Sequence, residues 1–155
     1  MTNQDFRDLF SAFNDHEVRY LIVGAYAVTY YSRPRFTKDL DVWIEPQAAN
    51  AEKAWNALIT FGAPLQGVGP KDLATPGVVL QIGVEPNRID ILTQIQGVKF
   101  KEAWARRVSG KYGDCPVCFL SREDLIVNKE AVGRPQDLLD LEALKSLPGG
   151  RENKP

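Results

Sequence analysis

Apolar residues recur along this chain at helical and strand spacings by turns, and the alternation sketches a fold. Phe6, Leu9, Phe10 and Phe13 share one face of a helix over Gln4 to Asn14. Tyr20 to Val23 is a continuous apolar run short enough for a buried strand, and Gly24 marks its turn into a helix from about Ala25 to Tyr31. Arg33-Pro34-Arg35 ends that helix, because proline has no N–H and disfavours the α region for the residue before it. A strand is expected from Asp39 to Ile44, where Leu40, Val42 and Ile44 alternate with Asp39, Asp41 and the following Glu45, the period of a strand with one buried face. Pro46 to Phe61 reads as a helix with Ala54, Trp55, Leu58 and Ile59 as its stripe and Gly62 as its stop.

The glycine- and proline-rich stretch up to Gly77 reads as mostly loop. Val78 to Ile82 and Arg88 to Leu92 form a hairpin around Gly83 to Asn87. Phe100 to Val108 is expected as a short helix and Pro116 to Leu120 as a last strand. Ser121 then caps a helix, with Asp124 as its capping-box partner and Leu125, Ile126 and Ala131 on the inner side. Gly133-Arg134-Pro135 separates it from a final helix, Gln136 to Leu147. The expected fold is α+β, a small mixed sheet flanked by helices with further helices at the C-terminus. Residues 1–147 make one domain, and 148–155 a flexible tail.

Composition narrows the function classes. The chain has 155 residues, enough for one core, with 44% hydrophobic and 25% charged residues, the balance of an ordinary globular protein. Nineteen basic and twenty acidic side chains leave a net charge of −1, so no global field draws it to nucleic acid or anionic lipid. No apolar run is long enough to span a bilayer and the N-terminus lacks a signal-peptide pattern, so a cytoplasmic protein without a membrane partner is expected. Cys115 and Cys118 form a C-x-x-C, but His16 is the only other soft ligand, short of a structural zinc site. The pair sits where a strand is expected rather than at a helix start, which argues against redox chemistry. Small core or rim residues is the preferred reading of both, and a solvated turn residue that of His16.

The candidate chemistry lies around Asp39-Leu40-Asp41. On a strand both aspartates share a face roughly 6 to 7 Å apart. By itself D-x-D is better read as the wet face of a half-exposed strand. Three features add to it. Gly24 stands at a strand-to-helix turn, where free N–H groups suit a phosphate. Asp90 lies between two isoleucines in a second strand, a third oxygen ligand for a hard cation such as Mg²⁺. Arg33, Arg35, Thr37 and Lys38 fill the segment before the carboxylates with cationic and hydroxyl groups.

Taken in order, Val23-Gly24-Ala25, thirteen residues, Asp39-Leu40-Asp41-Val42 and then Ile89-Asp90-Ile91 resemble the signature of the DNA polymerase β-like nucleotidyltransferase superfamily. Arg35-Phe36-Thr37 before D-x-D, and the stretch from Leu120 through Lys129 to Gly133-Arg134-Pro135-Gln136-Asp137 and Asp140, look like small bacterial members and the abortive-infection (AbiEii-like) toxin type. The resemblance implies a nucleotidyltransferase fold and transfer of a nucleotidyl group from an NTP to a hydroxyl of RNA, tRNA, a protein or a small molecule. It implies two Mg²⁺ (or Mn²⁺) ions on the catalytic residues Asp39, Asp41 and Asp90, with Asp90 nearer the acceptor and able to serve as general base. It assigns nucleotide contacts to Gly24, Ala25, Arg35, Thr37, Lys38, Lys129 and Arg134. A toxin–antitoxin role, with an antitoxin or a second copy as partner, is part of the same implication.

Two departures are notable. Ala25 stands where such proteins carry Gly or Ser, keeping the backbone donor but no hydroxyl, and the chain lacks the large helical region of the toxin type. A nucleotidyltransferase-fold protein that binds nucleotide or a partner without turnover is therefore the alternative. Lys129 and Arg134 each also read as ordinary surface residues, Asp137 and Asp140 as their partners or as solvent-facing, and Trp43, Trp55 and Trp104 as core.

Overall fold

In the computed structural model the described residues are 2–32 and 39–146. They form α1 (Gln4–Asp15), β1 (Tyr20–Val23), α2 (Gly24–Tyr31), β2 (Asp39–Ile44), α3 (Ala48–Phe61), α4 (Pro70–Leu73), β3 (Val79–Ile82), β4 (Arg88–Leu92), α5 (Phe100–Ala105), β5 (Val108–Tyr112), β6 (Cys115–Phe119), α6 (Arg122–Val132) and α7 (Pro135–Ser146). The six strands make one mixed sheet in the order β3-β4-β2-β1-β6-β5. β2 lies antiparallel to β1 and parallel to β4, while β1 lies parallel to β6. The expected mixed α+β architecture is thus present.

Alternation along β2 decides what the sheet buries. Leu40, Val42 and Ile44 are fully buried, whereas Asp39 and Asp41 on the opposite face are partly exposed. At α1 the four expected residues Phe6, Leu9, Phe10 and Phe13 are all buried, with Phe10 and Phe13 against Tyr20. Asn3 caps this helix through its side-chain oxygen, which accepts from the Asp5 and Phe6 N–H groups. The Tyr31 hydroxyl donates to the Leu120 carbonyl at 2.8 Å in a buried bond that ties α2 to the end of β6.

Several expected elements are corrected. α3 begins at Ala48 rather than Pro46, because the Gln47 side chain accepts from the Asn50 N–H as its cap. Its buried residues are Asn50, Ala51, Ala54, Ala57 and Leu58, with Trp55 half-buried and Ile59 exposed. The supposed loop before Gly77 holds the one-turn α4, started by Pro70 and held by the Asp72 carboxylate accepting from the Gly69 N–H. The helix expected over Phe100 to Val108 stops at Ala105, and Val108 begins β5, joined antiparallel to β6 by the Gly113-Asp114 turn with Gly113 at φ +62°. At α6 the Ser121 hydroxyl accepts from the Asp124 N–H, but the Asp124 carboxylate is held by Arg106, so half of the capping box is made. Ala131 faces out, and Leu125, Asn128 and Lys129 form the buried side. Leu147 and the tail lie outside the described residues.

Candidate active site

The site begins as a row across the sheet. In the parallel pairing of β2 with β4, Asp41 stands directly beside Asp90 and Asp39 beside Arg88, neighbouring strands being about 4.8 Å apart. On the other side of β2, Val23 is the partner of Asp41, so the chain leaves β1 next to that carboxylate. There Gly24 takes φ +67°, and a Cβ on it would lie 2.2 Å from Asp41 Oδ2. Glycine is required twice over, by backbone angle and by room for the carboxylate.

Electrostatics at this row are unbalanced. The Asp41 carboxyl is pushed up to about 6, first by burial and then by the Asp90 and Asp39 charges, with Lys129 and Arg88 opposing. Asp39 Oδ1 is buried without a hydrogen-bond partner. Asp90 is buried too, and both of its oxygens are held by Arg88, Nε to Oδ1 at 3.1 Å and Nη2 to Oδ2 at 3.0 Å. An all-oxygen donor set, one orphaned carboxylate oxygen and a cradle too tight for a Cβ fit a hard divalent cation. Among the described residues no three carboxylate, histidine or cysteine side chains converge as a closed metal cage; both Asp90 oxygens are taken by the Arg88 fork.

A cavity of about 550 Å³ opens beside Asp41, with Gly24 and Ala25 on one wall and Lys129, Arg134 and Asp137 on the other. Lys129 is buried, its Nζ 3.1 Å from Asp137 Oδ1 and 3.2 Å from Asp140 Oδ2. The open surface and water-facing readings of Lys129, Asp137 and Asp140 are thereby settled, since these three form a buried ion cluster between α6 and α7. Arg134 donates from Nε to Asp137 Oδ2 at 2.7 Å, while most of its side chain is exposed at the rim. Asp137 is held down to about 2, chiefly by the hydrogen bond from Arg134 and then by Lys129, against its burial. Arg35, Thr37 and Lys38, with Arg33, lie outside the described residues.

Sequence reasoning missed Arg88 as a member of the site, although the spacing Arg88-x-Asp90 on a strand puts both on one face. Gln81, the partner of Asp90 on β3, and the cavity residues Gln94, Gln96 and Asn128 were missed as well; isolated amides carry no motif. Trp43 is buried against Phe100, Trp55 packs on the core, and Trp104 carries Arg107 and Arg19 over its ring. Cys115 and Cys118 are free, half-buried thiols on β6, both pushed up by burial. His16 ends α1, with Nε2 3.1 Å from Thr60 Oγ1.

The fold is that of nucleotidyltransferases. The lincosamide antibiotic adenylyltransferase LnuA, solved with lincomycin bound, matches with a TM-score of 0.62 at 17% identity, over 95% of this chain and 98% of that one. ANT(2'')-Ia, solved in complex with adenylyl-2''-tobramycin, matches with 0.59 at 12% identity, over 91% and 86%. A Thermotoga maritima protein described as a nucleotidyltransferase matches with 0.57 at 10% identity, over 94% of each. No functionally curated protein sequence matches. The profile of the family described as "Nucleotidyl transferase of unknown function (DUF2204)" matches residues 2–152, and the chain belongs to that family.

Proposed function

We propose that this protein transfers a nucleotidyl group from an NTP to the hydroxyl of a small-molecule acceptor. The observation that carries the reading is the register of β2 on β4, which sets Asp41 beside Asp90 with Gly24 packed against Asp41. Asp39, Asp41 and Asp90 would hold two divalent cations, Mg²⁺ or Mn²⁺. When bound, these ions neutralise the phosphates and stabilise charge on the attacking and leaving oxygens.

The protein's own groups do the rest. Gly24 and Ala25, the start of α2, line the cavity, and backbone N–H groups at such a helix start suit the outer phosphates; without a hydroxyl, Ala25 contributes through the backbone alone. Arg134 brings an accessible guanidinium to the rim, and Lys129, neutralised by two aspartates, fixes the wall on which it stands. Arg35, Thr37 and Lys38 are assigned to the nucleotide from their place in the sequence. Asp90 accepts the proton from the acceptor hydroxyl, whose oxygen forms a bond to the α-phosphorus as the bond to the β-phosphate breaks and pyrophosphate leaves. A small alcohol is favoured as acceptor because two proteins that share this fold, LnuA and ANT(2'')-Ia, were solved with lincomycin and with adenylyl-2''-tobramycin bound.

Incubating the protein with each labelled NTP, Mg²⁺ or Mn²⁺, and a panel of aminoglycoside, lincosamide and simple polyol acceptors, with RNA and protein as comparisons, tests this. Transfer to a small alcohol that Asp41→Asn abolishes is expected. Absence of transfer to every acceptor, or equal transfer by the variant, refutes the reading and favours the non-catalytic alternative.

A further inference from the structure

Arg88 is the residue that the nucleotidyl-transfer chemistry leaves without a task. Its fork covers both oxygens of Asp90, at 3.1 and 3.0 Å, and its place in the register faces Asp39, whose Oδ1 has no hydrogen-bond partner. The two members of the pair differ in freedom: the Arg88 side chain is 32% exposed and that of Asp90 12%. Arg88 is therefore the member that can leave, since its far side already meets water and its long stem rotates. Only a planar guanidinium satisfies both carboxylate oxygens at once, whereas an ammonium would leave one open.

We propose that Arg88 is a built-in placeholder for a divalent cation, a positioning residue that closes Asp90 until displaced and so makes the protein load its two cations in sequence. This rests on reading Asp39, Asp41 and Asp90 as metal ligands. The first cation meets Asp39 and Asp41, where an oxygen is already free. The second must win Asp90 from Arg88, and its apparent affinity falls by the fraction of time the fork is closed. Release of Arg88 also sets a positive charge loose at the acceptor side of the row, toward Gln81 on β3.

The test is a titration of the metal-free full-length protein with Mn²⁺, free ion being followed by electron paramagnetic resonance. The parent protein is expected to bind one Mn²⁺ tightly and a second about tenfold or more weakly, the scale of a charge-assisted pair. Arg88→Met should tighten the second site to within about threefold of the first, and Arg88→Lys should fall between. Thermal unfolding gives an independent readout. Arg88→Met should melt lower than the parent in chelator, where Asp90 is left unpaired, and gain more from Mn²⁺ than the parent does. If Arg88→Met and Arg88→Lys both keep the parent's second-site affinity and metal response, the placeholder role is wrong while the metal site stands. If the parent binds no Mn²⁺ at all, the underlying reading of the three aspartates fails.

Discussion

Replacing Gly24 by alanine asks the fold for two things at once, and a second glycine separates them. At φ +67° an alanine pays the left-handed backbone penalty, about 1–2 kcal/mol. Its Cβ would also lie 2.2 Å from Asp41 Oδ2, so the carboxylate must move by about 1 Å, off its preferred rotamer, for roughly another 1 kcal/mol. Gly62, at the end of α3, has φ +90° and nothing within 4 Å of the added Cβ, so Gly62→Ala carries the backbone penalty alone. For a domain of this size 1 kcal/mol moves Tm by about 2–4 °C. Scanning calorimetry in chelator is thus expected to show Gly62→Ala melting about 2–8 °C below the parent and Gly24→Ala about 3 °C lower again. With Mn²⁺ and NTP the parent and Gly62→Ala should rise in Tm, and Gly24→Ala should not, because its displaced Asp41 no longer faces the phosphate turn. Equal losses and equal ligand responses for the two variants would show that Asp41 does not depend on Gly24, and the geometric argument would fall.

Other expectations concern charge and capping. In chelator, Asp41→Asn should melt above the parent at pH values over 6 and match it below about pH 4, because a carboxyl raised to about 6 contributes stability that is lost as pH rises through that value; a lower-melting variant at pH 7.5 would contradict the crowding of three carboxylates. Asp137→Asn should cost about 3 kcal/mol at neutral pH by leaving Lys129 and Arg134 short of a partner. Since Asp137 is held near 2 against its ordinary 3.8, that deficit should shrink as pH falls from 4 to 2, and denaturant curves with a constant deficit across this window would refute the assignment. Ser121→Ala, which removes the cap of α6, should cost about 1 kcal/mol, read as a shift in urea midpoint.

Which parts of this molecule could be read from its chain follows from the range of the forces involved. β1 and β2 were located to the residue, because alternation and an apolar run bounded by Gly24 are local signals. The order and spacing of Asp39, Asp41 and Asp90 were readable from the chain, and the register sets Asp41 beside Asp90 and Asp39 beside Arg88. β5 was not found because Val108-Ser-Gly-Lys-Tyr has little apolar content and buries none of its residues fully; its evidence was the Gly113-Asp114 turn. Lys129 was unreadable for a different reason. A lysine on a polar-looking helix is normally solvated, and only the folding of α7 back onto α6 brings Asp137 and Asp140 around it. The Arg88 fork lay in plain view as Arg-x-Asp, yet its meaning needs the pairing of β4 with β2.

β2 and β4 are interior strands, hydrogen-bonded on both edges, while β3 is the sheet's border. The carboxylate row is thus mounted where amide exchange is slowest and local opening rarest, and its geometry resists change. Val79 and Gln81, exposed on the border strand next to that row, can be exchanged at little cost to folding. Under the proposed reaction, substitution there would change the surface beside the carboxylate row while the row itself stays in place.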